Sequence, residues 1–352
     1  MYVSPFSIPL VAVNTAFVVA LAWHARASKA IESRRDAILL AMGFAVSAIF
    51  TPFILKLGGT TDAGEDLLYN IGTIFFGAVL ATLVIIVSRN HHICKRKPEQ
   101  KARLSYEAFL ASLPAGDEKR RDNSRKILHC VISVSPIIVY AICLSADAYF
   151  KSVGIMQEYG VTGIVAGRGV NLLIYWGFSY MATMEDLARL NAFHLIPGWG
   201  RRWLRTSIEA KEHRTFTAAV PFLIGHVPLL LAPLPAFFST SFVASIGDAA
   251  GSVFGKRFGK HKLPGGGGGR GGRGGKKSWE GLVAGMLVSF VAVLVVNLSF
   301  DPGNVVKAVI MATALAGIAG LFDATVTYVD DNYMNTFVLG AIAWVLYLLL
   351  HA

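Results

Sequence analysis

The sequence predicts an all-α fold, a polytopic membrane bundle of about ten transmembrane helices. Three observations favour this class. The 352 residues are 54% hydrophobic and only 16% charged, with a mean hydropathy of +0.54, whereas ordinary soluble domains carry about 25% charged residues. Apolar runs recur, several of them about 18 residues or longer, which is enough to cross a bilayer. The three cysteines form no CxxC pair and indicate neither a zinc site nor a disulfide framework.

Ten apolar runs are candidate spans. They begin at Pro5, Ala37, Leu67, Ile127, Val170, Thr215, Ala236, Gly281, Val305 and Asn335. The fifth run and the seventh run are the least apolar, because both carry polar residues. Glycine and proline inside a run are compatible with a spanning helix. The first run has no basic segment before it and no clear cleavage site, so we expect a retained helix rather than a signal peptide.

Basic residues alternate between the loops. The loops after the first, third, fifth and seventh runs are basic, whereas the intervening loops are acidic or nearly uncharged. Basic loops face the cytoplasm, so ten spans put both termini on the outside. The net charge of +11 therefore belongs mainly to one membrane face, where attraction to anionic lipids is expected.

Ionisable residues inside apolar runs are functional candidates, because they are costly in a membrane. Asp248 lies in "GDAAGSVFGKRFG", near the cytoplasmic end of the seventh run. The alternative is helix packing through the surrounding small residues, with Asp248 bonded to a neighbour. Lys256 and Arg257 follow it, and an ordinary basic flank also explains them. In "KKSWEG", Ser278 is a predicted N-cap, and the helix N-terminus beside Lys277 offers donors to an anion.

Acidic residues follow the ninth run in "FDATVTYVDDNYMN". We expect Asp323, Asp330, Asp331 and Asn332 to share one short loop on the cytoplasmic side. Carboxylates next to an amide suit Mg²⁺, which prefers a few carboxylate oxygens plus substrate phosphate. The alternative is a polar turn with a helix cap at Asp331 or Asn332.

Two more cytoplasmic segments carry polar side chains before a run. "DNSRKILHC" contains Arg125, Lys126 and His129, and "EHRTFTAAV" begins with Glu212 and His213. A lone histidine is more often a hydrogen-bonded packing residue than a catalyst. Acids able to hold a metal and bases able to hold phosphates thus meet on one face. Phosphoryl transfer needs this combination, because its catalysis is mostly positioning and charge neutralisation.

These motifs, in this order, resemble the CTP-dependent polyprenol kinase family. The family includes dolichol, phytol and farnesol kinases and a CTP-dependent diacylglycerol kinase, and it is related to the phosphatidate cytidylyltransferases. The resemblance covers roughly residues 120 to 352. It implies an N-terminal three-span membrane region with a basic cytoplasmic loop, residues 1–120, and a catalytic membrane domain, residues 121–352. A flexible glycine-rich loop, residues 264–276, interrupts the second region.

The resemblance implies transfer of the γ-phosphate of CTP to the hydroxyl of a membrane isoprenoid alcohol, with Mg²⁺ or another divalent cation. The implied catalytic residues are Asp248, Asp331 and Lys277. The implied nucleotide contacts are Gly255, Lys256, Arg257, Gly259, Lys277, Ser278 and Glu280. The implied metal ligands are Asp248, Asp330, Asp331 and Asn332. The substrate-side residues are Arg125, Lys126, His129, Glu212 and His213.

We add a hypothesis about two finer roles. Asp331 would orient or deprotonate the alcohol, and Glu280 would fix Lys277 or a ribose hydroxyl. The active site would face the cytoplasm, from the endoplasmic reticulum in a eukaryote or the plasma membrane in a prokaryote or archaeon. The partners are the bilayer and a lipid alcohol.

Three other functions fit parts of the same sequence. A cytidylyltransferase would also use CTP but release pyrophosphate, and a diacylglycerol kinase would phosphorylate another lipid. The longer cytidylyltransferase signature is not visible. A transporter predicts two repeated halves with a charged midplane site, and the sequence has no such repeat.

The glycine-rich loop is the remaining motif. "GGGGGRGGRGG" contains Arg270 and Arg273 but no aromatic residue, so we expect no nucleic-acid partner. It is not a Walker A motif, because "GKKS" has one lysine too many and an apolar helix precedes it. Glycine-rich chains are flexible. We therefore predict a flexible lid or tether between two motifs, with both arginines as optional phosphate contacts.

Overall fold

The computed structural model describes residues 2–56, 60–97, 99, 101, 104–113, 118–208, 212–263, 277–325 and 333–352. The side chains of 118–126 and 128–129 are also outside the description. The described residues are 85% helical and form no strand. This agrees with the predicted all-α class.

Fifteen α-helices lie within the described residues, numbered here in chain order. They are α1 Ile8–Ala27, α2 Ile31–Phe50, α3 Asp62–Arg96, α4 Tyr106–Ala111, α5 Glu118–Ser145, α6 Asp147–Ser152, α7 Ile155–Tyr159, α8 Gly163–Asn191, α9 Gly198–Ser207, α10 Ala219–His226, α11 Leu234–Phe242, α12 Asp248–Phe258, α13 Trp279–Phe300, α14 Val305–Thr325 and α15 Leu339–His351. Shorter 3₁₀ segments are Pro5–Ser7, Thr51–Phe53, Phe193–Leu195 and Pro228–Leu231. Two π-helical turns, Val243–Gly247 and Met334–Val338, lead directly into α12 and α15.

Seven of the described helical segments are long and apolar enough to cross a membrane. They are Pro5–Ala27, Ile31–Phe53, Asp62–Arg96, Cys130–Ser152, Trp279–Phe300, Val305–Thr325 and Met334–His351. The chain is therefore a multi-pass helical membrane protein by the length and composition of its helices. The predicted count of about ten spans is not confirmed.

The three remaining runs differ from simple spans for local reasons. The run from Val170 lies within α8, whose two ends carry charged residues. The run from Thr215 forms α10, only 8 residues long, and continues as a 3₁₀ segment that starts at Pro228. The run from Ala236 is divided among α11, a π-helical turn and α12, and it contains the charged residue Asp248.

The chain divides into two compact units. The N-terminal unit comprises Met1–Arg125 and Cys143–Val220, and the C-terminal unit comprises Lys126–Ile142 and Pro221–Ala352. The division predicted from the motifs, a membrane region 1–120 and a catalytic region 121–352, remains a prediction. By packing, residues 143–220 belong with the N-terminal helices.

The C-terminal unit is built around α13, which packs against α12, α11 and α14, while α15 packs on α11 and α14. Small and branched apolar side chains fill its core. The buried members are Ala232, Ala236, Val243, Val293, Met311, Ala312, Leu315, Leu339 and Ala343. This small-residue core permits close approach of the helices, as is usual where lipid supplies little hydrophobic drive for association.

Candidate functional site

The two halves of the predicted nucleotide site meet in the C-terminal unit. An antiparallel bridge pairs Lys262 with Ser278. The amide of Leu263 donates to the carbonyl of Lys277 at 2.9 Å, and the amide of Trp279 donates to the carbonyl of His261 at 3.0 Å. The two segments that flank the glycine-rich loop in sequence therefore lie side by side. Residues 264–276, with Arg270 and Arg273, lie outside the described residues.

Glycines form the contact between α12 and α13. A Cβ added at Gly281 would lie 2.7 Å from the carbonyl oxygen of Gly251 and 2.9 Å from the Cα of Gly255. A Cβ at Gly285 would lie 3.2 Å from the carbonyl oxygen of Gly247. Glycines at every fourth position thus allow the two backbones to touch. We call this contact the glycine seam.

Gly255 and Gly259, which the resemblance assigns to the nucleotide, belong to this packing. A Cβ at Gly255 would lie 3.3 Å from Ser278 Oγ, and one at Gly259 would lie 2.5 Å from the same atom. Gly259 also has no room next to the carbonyl oxygen of Gly255. Both glycines therefore serve helix packing, which the sequence analysis gave as the alternative role for the small residues around Asp248.

Ser278 is the N-cap of α13, as the sequence predicts. Its hydroxyl accepts a hydrogen bond from the amide of Gly281 at 3.2 Å, and the residue is buried. A side-chain cap satisfies one of the free amide groups at the start of a helix. The cap holds the beginning of α13 directly next to the bridge.

Glu280 contacts His261, whereas the expected partner was Lys277 or a ribose hydroxyl. Its Oε1 lies 2.7 Å from His261 Nδ1 and accepts from the His261 amide at 3.1 Å. The sequence reading did not single out His261. The contact ties the first turn of α13 to the segment that follows α12, so Glu280 stabilises the bridge.

Lys277 pairs with Asp323. Its Nζ lies 2.5 Å from Asp323 Oδ1 and donates to the Asp323 carbonyl at 2.9 Å. Both side chains are a little over one third exposed, 39% and 37%. Asp323 is in the last turn of α14 and not in the loop where the sequence put it. The sequence analysis did not predict this pair.

Asp248 is the first residue of α12 and is half-buried. It directly follows the π-helical turn Val243–Gly247, which packs against α13, α14 and the second π-helical turn. Such turns are rare and frequent at functional sites. The second turn begins at Met334, two residues after the acidic motif.

The remaining members of the acidic motif, Asp330, Asp331 and Asn332, lie outside the described residues. Within the described ranges no three acidic, histidine or cysteine side chains come close enough to hold a metal ion. Of the four predicted Mg²⁺ ligands, only Asp248 lies among the described residues.

The cations next to the bridge are exposed. Lys256 and Arg257 occupy the last turn of α12, where positive charge complements the helix dipole. The Arg257 guanidinium lies 5.4 Å from the ring centroid of Phe258. Lys262 Nζ donates to the carbonyl of Gly259 at 3.3 Å. Together with Lys277 they make this end of the C-terminal unit basic.

The substrate-side residues Glu212 and His213 belong to the N-terminal unit. A buried ion pair that the sequence analysis did not predict holds their segment. Arg189 Nη2 lies 2.6 Å from Asp186 Oδ1. Arg189 also donates to the carbonyl of Glu212 at 2.9 Å. Arg125, Lys126 and His129 lie in α5, and their side chains are outside the description.

The other Asp186 oxygen completes this anchor. It accepts from the amide and the hydroxyl of Thr217 at 2.7 and 2.9 Å. Glu212 Oε1 accepts from the amide of Ala218 at 2.9 Å. Glu185 lies beside the pair and beyond the apolar stretch 170–183. Burial and the neighbouring charge of Asp186 raise its pKa to about 8, against the opposing effect of Arg189.

The fold defines a class: a multi-pass helical membrane protein whose C-terminal unit carries a cluster of basic residues and the Lys277–Asp323 ion pair at one end. Comparison with known proteins adds no relative, since no family model, curated protein or solved structure matches the chain. The function therefore rests on the residues themselves.

Proposed function

We propose that the protein is an integral membrane lipid kinase. It transfers the γ-phosphate of CTP to the hydroxyl of a polyprenol- or dolichol-type alcohol at the cytoplasmic face. One observation carries the proposal: the bridge between Lys262 and Ser278 joins two motifs that the glycine-rich loop separates in sequence. Their lysines and an arginine then lie at one end of the unit that also contains Asp248.

Phosphoryl transfer depends on charge neutralisation and positioning by the protein, and little covalent chemistry by the protein is required. Lys256, Arg257 and Lys277 neutralise the triphosphate. Asp323 positions the Lys277 ammonium through the 2.5 Å contact. The alcohol oxygen bonds to the γ-phosphorus while the bond to the β–γ bridging oxygen breaks, and CDP leaves. The hydroxyl proton passes to the carboxylate of Asp331.

A divalent cation would add charge neutralisation at the phosphates when bound. Asp248, Asp330, Asp331 and Asn332 are the proposed ligands, and they offer the oxygen donors that Mg²⁺ prefers.

Assays of the full-length protein in lipid micelles test the proposal. CTP and ATP are compared against a panel of polyprenols, diacylglycerol and phosphatidate. We expect a polyprenyl monophosphate and CDP. A CDP-lipid with pyrophosphate would identify a cytidylyltransferase, and phosphorylation of diacylglycerol alone would identify the other lipid kinase. Absence of any product across the panel would overturn an enzymatic function.

Matched variants locate the activity. Lys277→Ala should remove most of it, because the variant lacks the ammonium at the bridge. Lys307→Ala is the control, since that lysine lies at the opposite end of α14, in its first turn. Deletion of Gly265–Gly269 should leave much activity if the loop is a tether. Equal losses in both lysine variants would contradict the proposed site.

A further inference from the structure

Helix α9 is packed on the N-terminal unit by one of its faces. Gly200 and Leu204, one turn apart, are buried. Leu204 belongs to an apolar cluster whose other buried members are Phe109, Phe193, Ile196 and Ile208. A Cβ at Gly200 would lie 3.0 Å from Ile196 Cγ2, and Arg201 Nη1 donates to the carbonyl of Ile196 at 2.7 Å. These contacts fix the rotation of α9 about its own axis.

The outer side of α9 carries two tryptophans and two arginines. Trp199 and Trp203 are 55% and 46% exposed, and their spacing of four residues puts them on one side of the helix. Arg202 and Arg205 are also exposed, and α9 contains no acidic residue. At about 3.6 residues per turn, the tryptophans lie between the buried face and these arginines. An apolar strip bordered by positive charge is typical of a helix that lies on a membrane surface.

The depth of α9 relative to the membrane follows from contacts with α3. The apolar run of α3, residues 67–88, matches a hydrocarbon thickness of about 30 Å. Beyond that run, the Asn90 side-chain amide donates to the carbonyl of Leu195 at 3.0 Å, and Cys94 Sγ lies 4.0 Å from the carbonyl oxygen of His194. Asn90 and Cys94 follow the end of the run by about 3 and 9 Å. The segment that leads into α9 therefore lies at the level of the lipid headgroups.

The charges at this level indicate which lipid the surface binds. The last two turns of α3 contribute Arg89, Lys95 and Arg96, and the exposed acid of α4 is Glu107. The arginines of α9 add to this excess of positive charge. Anionic phospholipids complement such a surface, and each basic residue near it strengthens their association. A second copy of this chain would bring the same positive charge to the contact and would be repelled.

We propose that α9 is an interfacial helix that binds anionic phospholipids in the leaflet next to the basic loops. Trp199 and Trp203 lie at the boundary between headgroups and acyl chains, where tryptophan is enriched in membrane proteins. Arg202 and Arg205 contact the lipid phosphates. A general attraction of the basic face to anionic lipid would have no preferred position, whereas this surface has a fixed one. It is independent of the proposed kinase activity.

Brominated lipids test the proposal on the full-length protein, in vesicles of phosphatidylcholine and phosphatidylglycerol in equal parts. Bromine close to the headgroup quenches tryptophan fluorescence on contact, and each lipid carries it in turn. Subtraction of the signal of a Trp199→Phe, Trp203→Phe double variant isolates these two among the six tryptophans. We expect both lipids to quench the isolated signal, and phosphatidylglycerol to quench it more strongly. Quenching by aqueous iodide with none by either lipid would overturn the proposal, because the surface would then face water or a soluble partner.

Matched arginine variants separate a contact at α9 from the general charge of this membrane face. Arg202→Gln combined with Arg205→Gln should remove the preference for phosphatidylglycerol, because each basic residue near an anionic surface changes association about fivefold. The control combines Arg26→Gln with Arg34→Gln, which removes the same charge from exposed positions beside the first basic loop, and it should keep the preference.

The substituted side chains are all exposed, so the apolar cluster under α9 stays intact in each variant. Equal losses of preference in the two arginine double variants would overturn the binding of anionic lipid by α9. Equal quenching by the two lipids in the wild type would overturn it as well.

Discussion

The glycine seam gives the sharpest prediction about stability. In Gly281→Ala the new methyl group would lie 2.7 Å from the carbonyl oxygen of Gly251 and 2.9 Å from the Cα of Gly255. Both neighbours are backbone atoms, so no side chain can rotate away and the two helices must separate by a few tenths of an ångström. Overpacking of this kind costs about 1–3 kcal/mol. A factor of ten in the folding equilibrium corresponds to about 1.4 kcal/mol.

Unfolding in mixed micelles measures this cost. Gly317→Ala is the matched control, because a Cβ at Gly317 in α14 meets no atom within 4 Å. Alanine is the better helix former by about 1 kcal/mol, so the control should be neutral or stabilised. Gly281→Ala should unfold at lower denaturant. Equal stability of the two variants would refute the close helix contact on which the site geometry depends.

Three other predictions concern single contacts. Asp186→Ala should destabilise the protein by about 3–5 kcal/mol in thermal unfolding, because the buried Arg189 guanidinium then lacks its only carboxylate partner among the described residues. An unchanged midpoint would contradict the buried anchor. The pKa of Glu185 is raised from its ordinary 4.5 to about 8 in the folded protein. As pH rises between these values, the unfolded chain loses the Glu185 proton while the folded protein keeps it, so the free energy of unfolding should fall. Glu185→Gln should remove that fall, and a parallel pH profile would refute it. Ser278→Ala should cost about 1 kcal/mol through loss of the α13 cap, whereas Ser278→Asn should recover most of it.

Hydropathy predicted the membrane class and the helices at both ends of the chain. Three of the ten predicted spans are not among the seven long apolar helices, and they show what an average of hydropathy along the chain does not detect. Pro228 ends the regular part of its run, the π-helical turn before Asp248 interrupts another, and charges at both ends of α8 lower the average of a third. Prolines and charges were visible in the sequence, but their effect on helix continuity depends on the tertiary surroundings.

The candidate site was partly readable from the sequence. The order of "GDAAGSVFGKRFG" and "KKSWEG" along the chain predicted that they flank the glycine-rich loop. The N-cap at Ser278 follows from the rule that a serine commonly precedes the first residue of a helix. The partners of Lys277 and Glu280 were not predictable in this way, because periodicity gives the face of a helix but not the residue on the helix opposite. The burial of Glu65 was not predicted for the same reason. Glu65 looks like an exposed residue of a helix start, and only packing buries it.

The position of the transferred phosphorus tests the central claim most directly. The full-length protein is incubated with a polyprenol and with CTP labelled either at the γ- or at the α-phosphate, and the lipid fraction is counted. The account predicts label in the lipid from γ-labelled CTP alone, with CDP as the other product, and loss of that label in Asp248→Asn. Lipid label from α-labelled CTP, or full activity in Asp248→Asn, would contradict it.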